Sequence, residues 1–315
     1  MKEEYRNLCR TEESIPIFSR DWWLDAACGT DRWEVILIKD KDSIQAALPY
    51  YLLRPQKIIM PFYTQTMGIW FAPCADDAKH ITSQERRQSL AKQIIEQLKP
   101  FSFFQQHFQY DFTDWLPFYW NHFTQTTRYT YLLKELQNTE ALWEKMSQHT
   151  RRSIRKAKER FQITVRQGVA VEDFMRLHAL TFKRQHTRNT QDTKVLQRLI
   201  EVCRQRQQGD IWGGYDPEGR LHAVVLVVWQ KQSAYYLAGG SDPELRHSSA
   251  HSLILWEAIQ HVANYTDVFD FEGSMIPGVE RFFREFGGIQ TPYFVIQKGN
   301  MSLLDRIMLK LQSSF

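Results

Sequence analysis

Two stretches of this chain carry the same succession of apolar patterns. In the first, apolar runs over residues 33–39 and 43–51 flank a polar turn at 40–42, and a shorter run follows at 57–60, which predicts three sequential strands. Apolar positions then take helical spacing over 83–98 and return to strand character over 101–108. They pass through an aromatic helical segment near 115–123 and end in a strand over 128–133. The second stretch repeats this order with strands at 211–215, 221–229 and 234–238, the first two joined by the turn Asp216-Pro-Glu-Gly219. A helix over 249–264, a strand over 268–271, a helix over 279–286 and a strand over 292–297 complete it.

The match reaches individual residues, since Tyr119-Trp-Asn-His-Phe123 stands where the second copy has Phe282-Phe-Arg-Glu-Phe286. The expected fold class is therefore α/β, with two tandem copies of one domain, each a mixed, mostly antiparallel sheet flanked by helices. A first, degenerate domain is expected over 1–137 and a second over 138–315. The copies diverge where chemistry would sit: the first has Phe104-Gln-Gln-His107 where the second has Phe269-Asp-Phe-Glu-Gly273. Any catalysis is expected in the second copy or between the two.

The segment 268–288 is the richest in chemistry. Phe269 and Phe271 alternate with Asp270 and Glu272, so one strand face is apolar and the other acidic. Gly273 and Pro277-Gly278 break the strand, and Val279, Phe282, Phe283 and Phe286 then share one side of a helix that carries Arg281 and Arg284. A site and an ordinary strand with its acids in solvent both fit this pattern. A second candidate lies in the junction over 138–167, which reads as mostly helical. Its stretch 151–160 holds six basic residues in ten, with Ile154, Ala157 and Phe161 as an apolar stripe. Arg151, Arg152 and Arg155 fall on its wet faces, where they are either solvated or a clamp for phosphates, whose oxygens match the guanidinium fork.

Composition narrows the classes. At 315 residues two domains are the better expectation, and a net charge of +4 is too balanced to imply nucleic-acid binding by itself. Cys9, Cys28, Cys74 and Cys203 are widely spaced, which suggests neither a disulfide framework nor a zinc site, and no metal is expected. The charged N-terminus lacks an apolar signal region and the longest apolar run is far short of a membrane span, so a cytoplasmic chain is expected. Over 301–311, Leu303, Leu304, Ile307, Met308 and Leu311 have helical spacing. This C-terminal helix is expected to pack on the protein's own body, with peripheral membrane contact as the other use.

The pattern Arg-x-x-Ile-x-Lys-Ala at 151–157, Asp-Phe-x-Gly at 270–273 and Gly-x-x-x-Phe-x-x-x-Phe-Gly-Gly at 278–288 resembles the FemABX-type members of the GNAT acyltransferase superfamily. The resemblance covers almost the whole chain, because that family is built of two tandem GNAT-like domains. It implies transfer of an amino acid from tRNA to an amine of a peptidoglycan precursor, or, as in related GNAT proteins, of an acyl group from acyl-CoA. The implied diphosphate loop falls on 246–251, with Arg246, Ser249 and Ala250 as donor-binding residues. Ser249 and His251 stand where small residues are expected, which favours a donor other than free CoA. Phe283, followed by Arg284, replaces a family lysine, and no inserted helical arm is present.

The expected function is an acyltransferase or aminoacyltransferase acting on an amine of an anionic cell-envelope or glycan precursor, without a permanently bound cofactor. Asp270 and Glu272 are the candidate bases, and Arg151, Arg152, Arg155, Arg281 and Arg284 the candidate substrate contacts. The partners are a small-molecule or nucleotide-linked acceptor and, as donor, aminoacyl-tRNA or acyl-CoA. An acyl-CoA-dependent N-acetyltransferase is the nearer alternative, and a non-catalytic RNA-binding protein using the basic helix and exposed aromatics the more distant one. His107-Phe-Gln-Tyr-Asp111 has a His-x-x-x-Asp spacing but no following glycine, and it is set aside.

Overall fold

The computed structural model describes residues 1–74, 79–184, 193–302 and 305. In chain order the elements are α1 (Lys2–Thr11), α2 (Asp21–Cys28), β1 (Trp33–Asp40), β2 (Ser43–Arg54), β3 (Lys57–Ile59), β4 (Trp70–Phe71), α3 (His80–Leu98), β5 (Phe103–His107), α4 (Leu116–Trp120) and β6 (Thr124–Lys134). They continue with α5 (Thr139–Lys145), α6 (Gln148–Arg155), β7 (Thr164–Gln167), α7 (Val171–Arg184), α8 (Thr193–Gln205), β8 (Gly209–Tyr215), β9 (Leu221–Trp229) and β10 (Ala234–Ser241). The last are α9 (Ala250–Val262), β11 (Val268–Asp270), α10 (Pro277–Glu285) and β12 (Ile289–Gly299). Most of the expected C-terminal helix lies outside the described residues. Among the described residues no helix is long and apolar enough to cross a membrane.

The chain forms two compact units, and each holds a mixed, mostly antiparallel sheet. Unit 1 gathers Met1–Arg128 and the described residues from Pro292 to 305. Its strands run β1, β2, β3, β5, β12, all antiparallel neighbours except the parallel pair β3 and β5. Unit 2 is built from Tyr129–Thr291, with β7, β8, β9, β10 antiparallel, β11 parallel to β10, and β6 antiparallel to β11. Apart from β7 at the edge of unit 2 and the short β4 beside β2 in unit 1, the strand pattern is the same, but the closing strands are exchanged: β12, from the end of the second copy, completes unit 1, and β6, from the end of the first, completes unit 2. A cut after residue 137 would follow the repeat in sequence, whereas packing follows this pairing.

Both faces of each sheet are covered, which explains why the strands read as apolar runs and not as strict alternation. In β1, Ile36 and Ile38 pack with Leu90, Ile94 and Leu98 of α3, while Val35 and Leu37 pack with Tyr5, Cys9 and Leu24 of α1 and α2. In unit 2 every residue of β9 is buried. Ala223, Val225, Val227 and Trp229 join the core beneath α9, and α7 packs against β9 and β10. The junction differs from one long helix: α6 runs on through a π-helical turn at Lys156–Arg160 and stops where Gln162 takes a left-handed φ of 49°, and β7 then pairs with β8.

The close approach of α7 depends on Gly240. A Cβ there would lie 2.5 Å from the carbonyl carbon of Leu177, backbone that cannot step aside. Gly240→Ala should lower unfolding stability by about 2 kcal/mol or more, the usual range for overpacking against fixed backbone. Urea unfolding measures this, and an unchanged midpoint would show that α7 does not need the contact.

Candidate active site

In unit 2 the parallel strands β10 and β11 stay paired over only two positions, Ala234 with Phe269 and Tyr235 with Asp270. Past Tyr235 they separate. The ladder between β10 and β9 slips at the same place, from Tyr236 opposite Val227 to Ala238 opposite Leu226, so Leu237 is a bulge. The open end of β10 forms one wall of a cavity of about 570 Å³ with Tyr236, Gly239, Gly240 and Ser241. His149 and Ser153 of α6 and Val279, Phe282 and Phe283 of α10 form others. The start of α9 closes one end through Arg246 and the residues from Ser248 to Ser252.

That end has an unusual backbone. A 3-10 turn over Arg246–Ser248 leads into Ser249, which caps α9 in the left-handed region at φ 62°, ψ 22°. The N–H groups of Ser248, Ser249 and Ala250 are bonded within this turn, to the Leu245 and Arg246 carbonyls and to Ser248 Oγ, so what the helix start offers an anion is its dipole and the Arg246 side chain. The loop is braced from behind. Ser248, fully buried, bonds through Oγ to His222 Nδ1 at 2.9 Å, and His222 Nε2 meets Asp216 Oδ2 at 3.0 Å. Burial pushes the Asp216 carboxyl up, but His222 and the backbone and side chain of Arg220 outweigh it and hold the group below the usual range. The ionised carboxylate therefore takes His222 Nε2–H, leaving Nδ1 to accept from Ser248.

Asp270 and Glu272 stand behind the cavity wall and do not line it. Asp270 ends β11, is 3% exposed, accepts the hydroxyl of Thr130, and takes the Glu272 N–H at 2.7 Å. That last bond supports Glu272 in a left-handed turn at φ 60°. Gly273 follows at φ 62°, where a Cβ would meet the Tyr129 carbonyl oxygen at 2.0 Å. Burial pushes the Asp270 carboxyl up to about 7 and, with Asp270's charge beside it, pushes Glu272 well above its usual value. Glu272 is near enough to Tyr236 to add its charge to the burial that raises that phenol.

The other expected residues divide into two groups. Arg246, Ser249 and Ala250 line the cavity together. On α6, about 100° per residue from the cavity-facing His149 and Ser153 places Arg152 beside that face and Arg151 and Arg155 toward the far side. Arg155 lies 5.7 Å over the Trp143 ring. Arg281 and Arg284 do not line the cavity, and each is paired within α10, to Glu285 at 2.7 Å and to Glu280 at 2.8 Å. His107 lies in unit 1, where burial lowers it to about 4.

Tyr236 and Ser241 were not singled out by sequence, and His251 was noted only as standing where the loop expects a small residue. The Tyr236 hydroxyl is 3.2 Å from His251 Nε2, and Ser241 Oγ is 3.4 Å from His251 Nδ1. Two of the three share β10, yet the third is on α9, so no local spacing could reveal the group. Among the described residues no cluster of three His, Cys, Asp or Glu could hold a metal ion.

Residues 144–284, which hold α6, the cavity and most of α10, match the family model of an acetyltransferase (GNAT) domain. FemX shares the fold at a TM-score of 0.70 and 12% identity, covering 99% of this chain and 98% of that one. The C-terminal domain of a putative lysylphosphatidylglycerol synthetase from Agrobacterium fabrum follows at 0.60 and 11%, covering 100% and 97%. L-PGS from Bacillus licheniformis stands at 0.58 and 12%, covering 98% and 96%. No curated protein sequence matches. Residues 144–284 thus match an acetyltransferase (GNAT) domain, and the chain as a whole has a FemX-like fold.

The carboxyl behind the cavity gives a measurable pH signature. The unfolded chain releases the Asp270 proton near 3.8, whereas the folded protein keeps it to about 7. Its contribution is therefore fully present below about pH 4 and is lost as pH rises through about 7. Asp270→Asn retains an acceptor for Thr130 and for the Glu272 N–H but cannot ionise. Between about pH 4.5 and about pH 7.5 the variant should lose less unfolding stability than the wild type. Equal losses in urea titrations at the two pH values would show that Asp270 ionises in the folded protein as freely as in the unfolded chain.

Proposed function

We propose that the unit 2 cavity transfers an acyl or aminoacyl group from a phosphate-bearing donor to an amine of an anionic cell-envelope or glycan precursor in the cytoplasm. The observation that carries this reading is the meeting, in one cavity, of a bulged strand end and a helix start. Donor phosphates would sit at the start of α9, drawn by its dipole and by Arg246 alongside. The reacting carbonyl would lie toward the bulge at Leu237, where backbone N–H groups can meet the developing oxyanion. Asp270 acts in this reading as a positioning group that fixes the Glu272 turn behind Tyr236.

Aminoacyl-tRNA is the donor we favour. Arg152 and Arg155 are exposed and Arg151 half-buried, a basic surface that continues past the cavity for a longer polyanion such as tRNA or a nucleotide-linked acceptor. The fold shared with the domain of a putative lysylphosphatidylglycerol synthetase fits transfer of an aminoacyl group. Arg281 and Arg284 would reach substrate only after leaving their carboxylate partners. An acyl-CoA-dependent N-acetyltransferase is the second reading. It is supported by the acetyltransferase domain match and by Ser249, which reaches without glycine the left-handed conformation that a diphosphate loop requires.

Binding titrations with bulk aminoacylated tRNA and with free CoA, each at several salt concentrations, separate the readings. Replacing Arg151, Arg152 and Arg155 together with Ala should weaken tRNA binding and reduce the slope of log K against log salt by about 2 to 3. Saturable CoA binding that is indifferent to the three replacements, with no tRNA binding, would establish the N-acetyltransferase instead.

A further inference from the structure

Resting on the acyl-transfer reading, we propose that His251 is the proton acceptor of this cavity and that the Tyr236 hydroxyl relays the proton to it from the attacking amine. The two side chains meet at the cavity wall, with the hydroxyl 3.2 Å from Nε2 and the rings nearly perpendicular at 81°. Ser241 Oγ holds the far side of the imidazole at 3.4 Å from Nδ1, and Phe282 packs on it at 5.7 Å. The wall is shaped for this pair. A Cβ on Gly239 would lie 2.4 Å from the Tyr236 hydroxyl and 2.8 Å from His251 Cε1, so any side chain there would push both groups apart.

The protonation states form one consistent set. Burial raises the Tyr236 phenol, which keeps its proton and donates it to Nε2. His251 then carries its own proton on Nδ1 and gives it to Ser241 Oγ. Burial keeps both Asp270 and Glu272 toward their neutral forms, and neither lines the cavity, whereas the imidazole does. Among the described residues, other titratable or charged groups around the pair include His149 of α6, His178 of α7, which bonds the Gly239 carbonyl, His222 of β9, Arg246 ahead of α9 and Glu272 after β11.

In the step itself the amine nitrogen bonds to the acyl carbonyl carbon. Its surplus proton passes to Tyr236 Oη as the phenol proton passes to His251 Nε2. As the bond to the donor's sulfur or oxygen breaks, the imidazolium returns its proton through Tyr236 to that leaving atom. The products are an amide and a neutral thiol or hydroxyl, and His251 ends neutral.

Long-range nitrogen–proton NMR of histidine-labelled whole protein reads the arrangement without substrate. The expected result is His251 with a proton on Nδ1 and a bare, hydrogen-bonded Nε2, whose shift moves in Tyr236→Phe. A proton on Nε2, or no response to Tyr236→Phe, would overturn the relay. Turnover is measured with acetyl-CoA and with aminoacylated tRNA, using hydroxylamine as the acceptor. His251→Gln should lower kcat about 10²-fold and remove the rising limb of the kcat pH profile, while the donor KM stays within about twofold. Retained kcat in that variant would also sink the proposal. Turnover of neither donor by the wild type would instead refute the acyl-transfer reading, while the imidazole spectrum still reports whether the pair exists.

Discussion

The two-position pairing of β10 with β11 is the constraint from which the site follows. Parallel strands that part so soon leave backbone groups of both without a ladder, and the gap must be filled by something that satisfies or uses them. On the β10 side, α7 presses on Gly240 and His178 donates to the Gly239 carbonyl at 3.0 Å. On the β11 side the chain turns sharply through Glu272 and Gly273, with Asp270 holding the turn and Thr130 holding Asp270. The cavity is what remains between these two repairs.

Its chemistry is set by depth. At the wall are groups able to exchange a proton, Tyr236 and His251. Behind them, carboxyls without enough compensating charge are kept near neutrality by desolvation. The Asp216, His222 and Ser248 chain shows the opposite outcome for a buried carboxyl: surrounded by donors, it stays ionised and locks the loop at the start of α9. Two buried acids of similar sequence character thus take different roles, because one has a cationic partner and several N–H donors and the other has one hydroxyl and one N–H.

Much of the fold was legible in the chain. The apolar runs of β1, β2, β9 and β10, the turn at Asp216 and the helical spacing of α3 and α9 are local signals, and their recurrence gave the tandem plan. The helices α1, α2, α7 and α8 were not read, since their apolar faces gain meaning only from the sheet they cover; Tyr5 and Leu24 are core residues amid charged and mixed sequence. The exchange of β6 and β12 was equally hidden, because it joins strands far apart in sequence and a repeat says nothing about which copy a strand completes. At the site, Arg246, Ser249 and Ala250 were found through the loop motif. Ser249 reaches the left-handed region without being glycine, which the sequence did not reveal. The direction of Arg281 and Arg284 was open until the partners within α10 were known.

The exchanged strands also reorder the birth of the protein on the ribosome. Domains ordinarily finish in the order in which they are synthesised. Here the second unit has all its strands once β11 has emerged, because β6 is already made. The first unit must wait with β5 unsealed until β12, near the end of the chain, arrives. The half translated first is the half completed last, and through most of synthesis its open edge is a place where a chaperone or a neighbouring nascent chain can pair before the protein's own strand does.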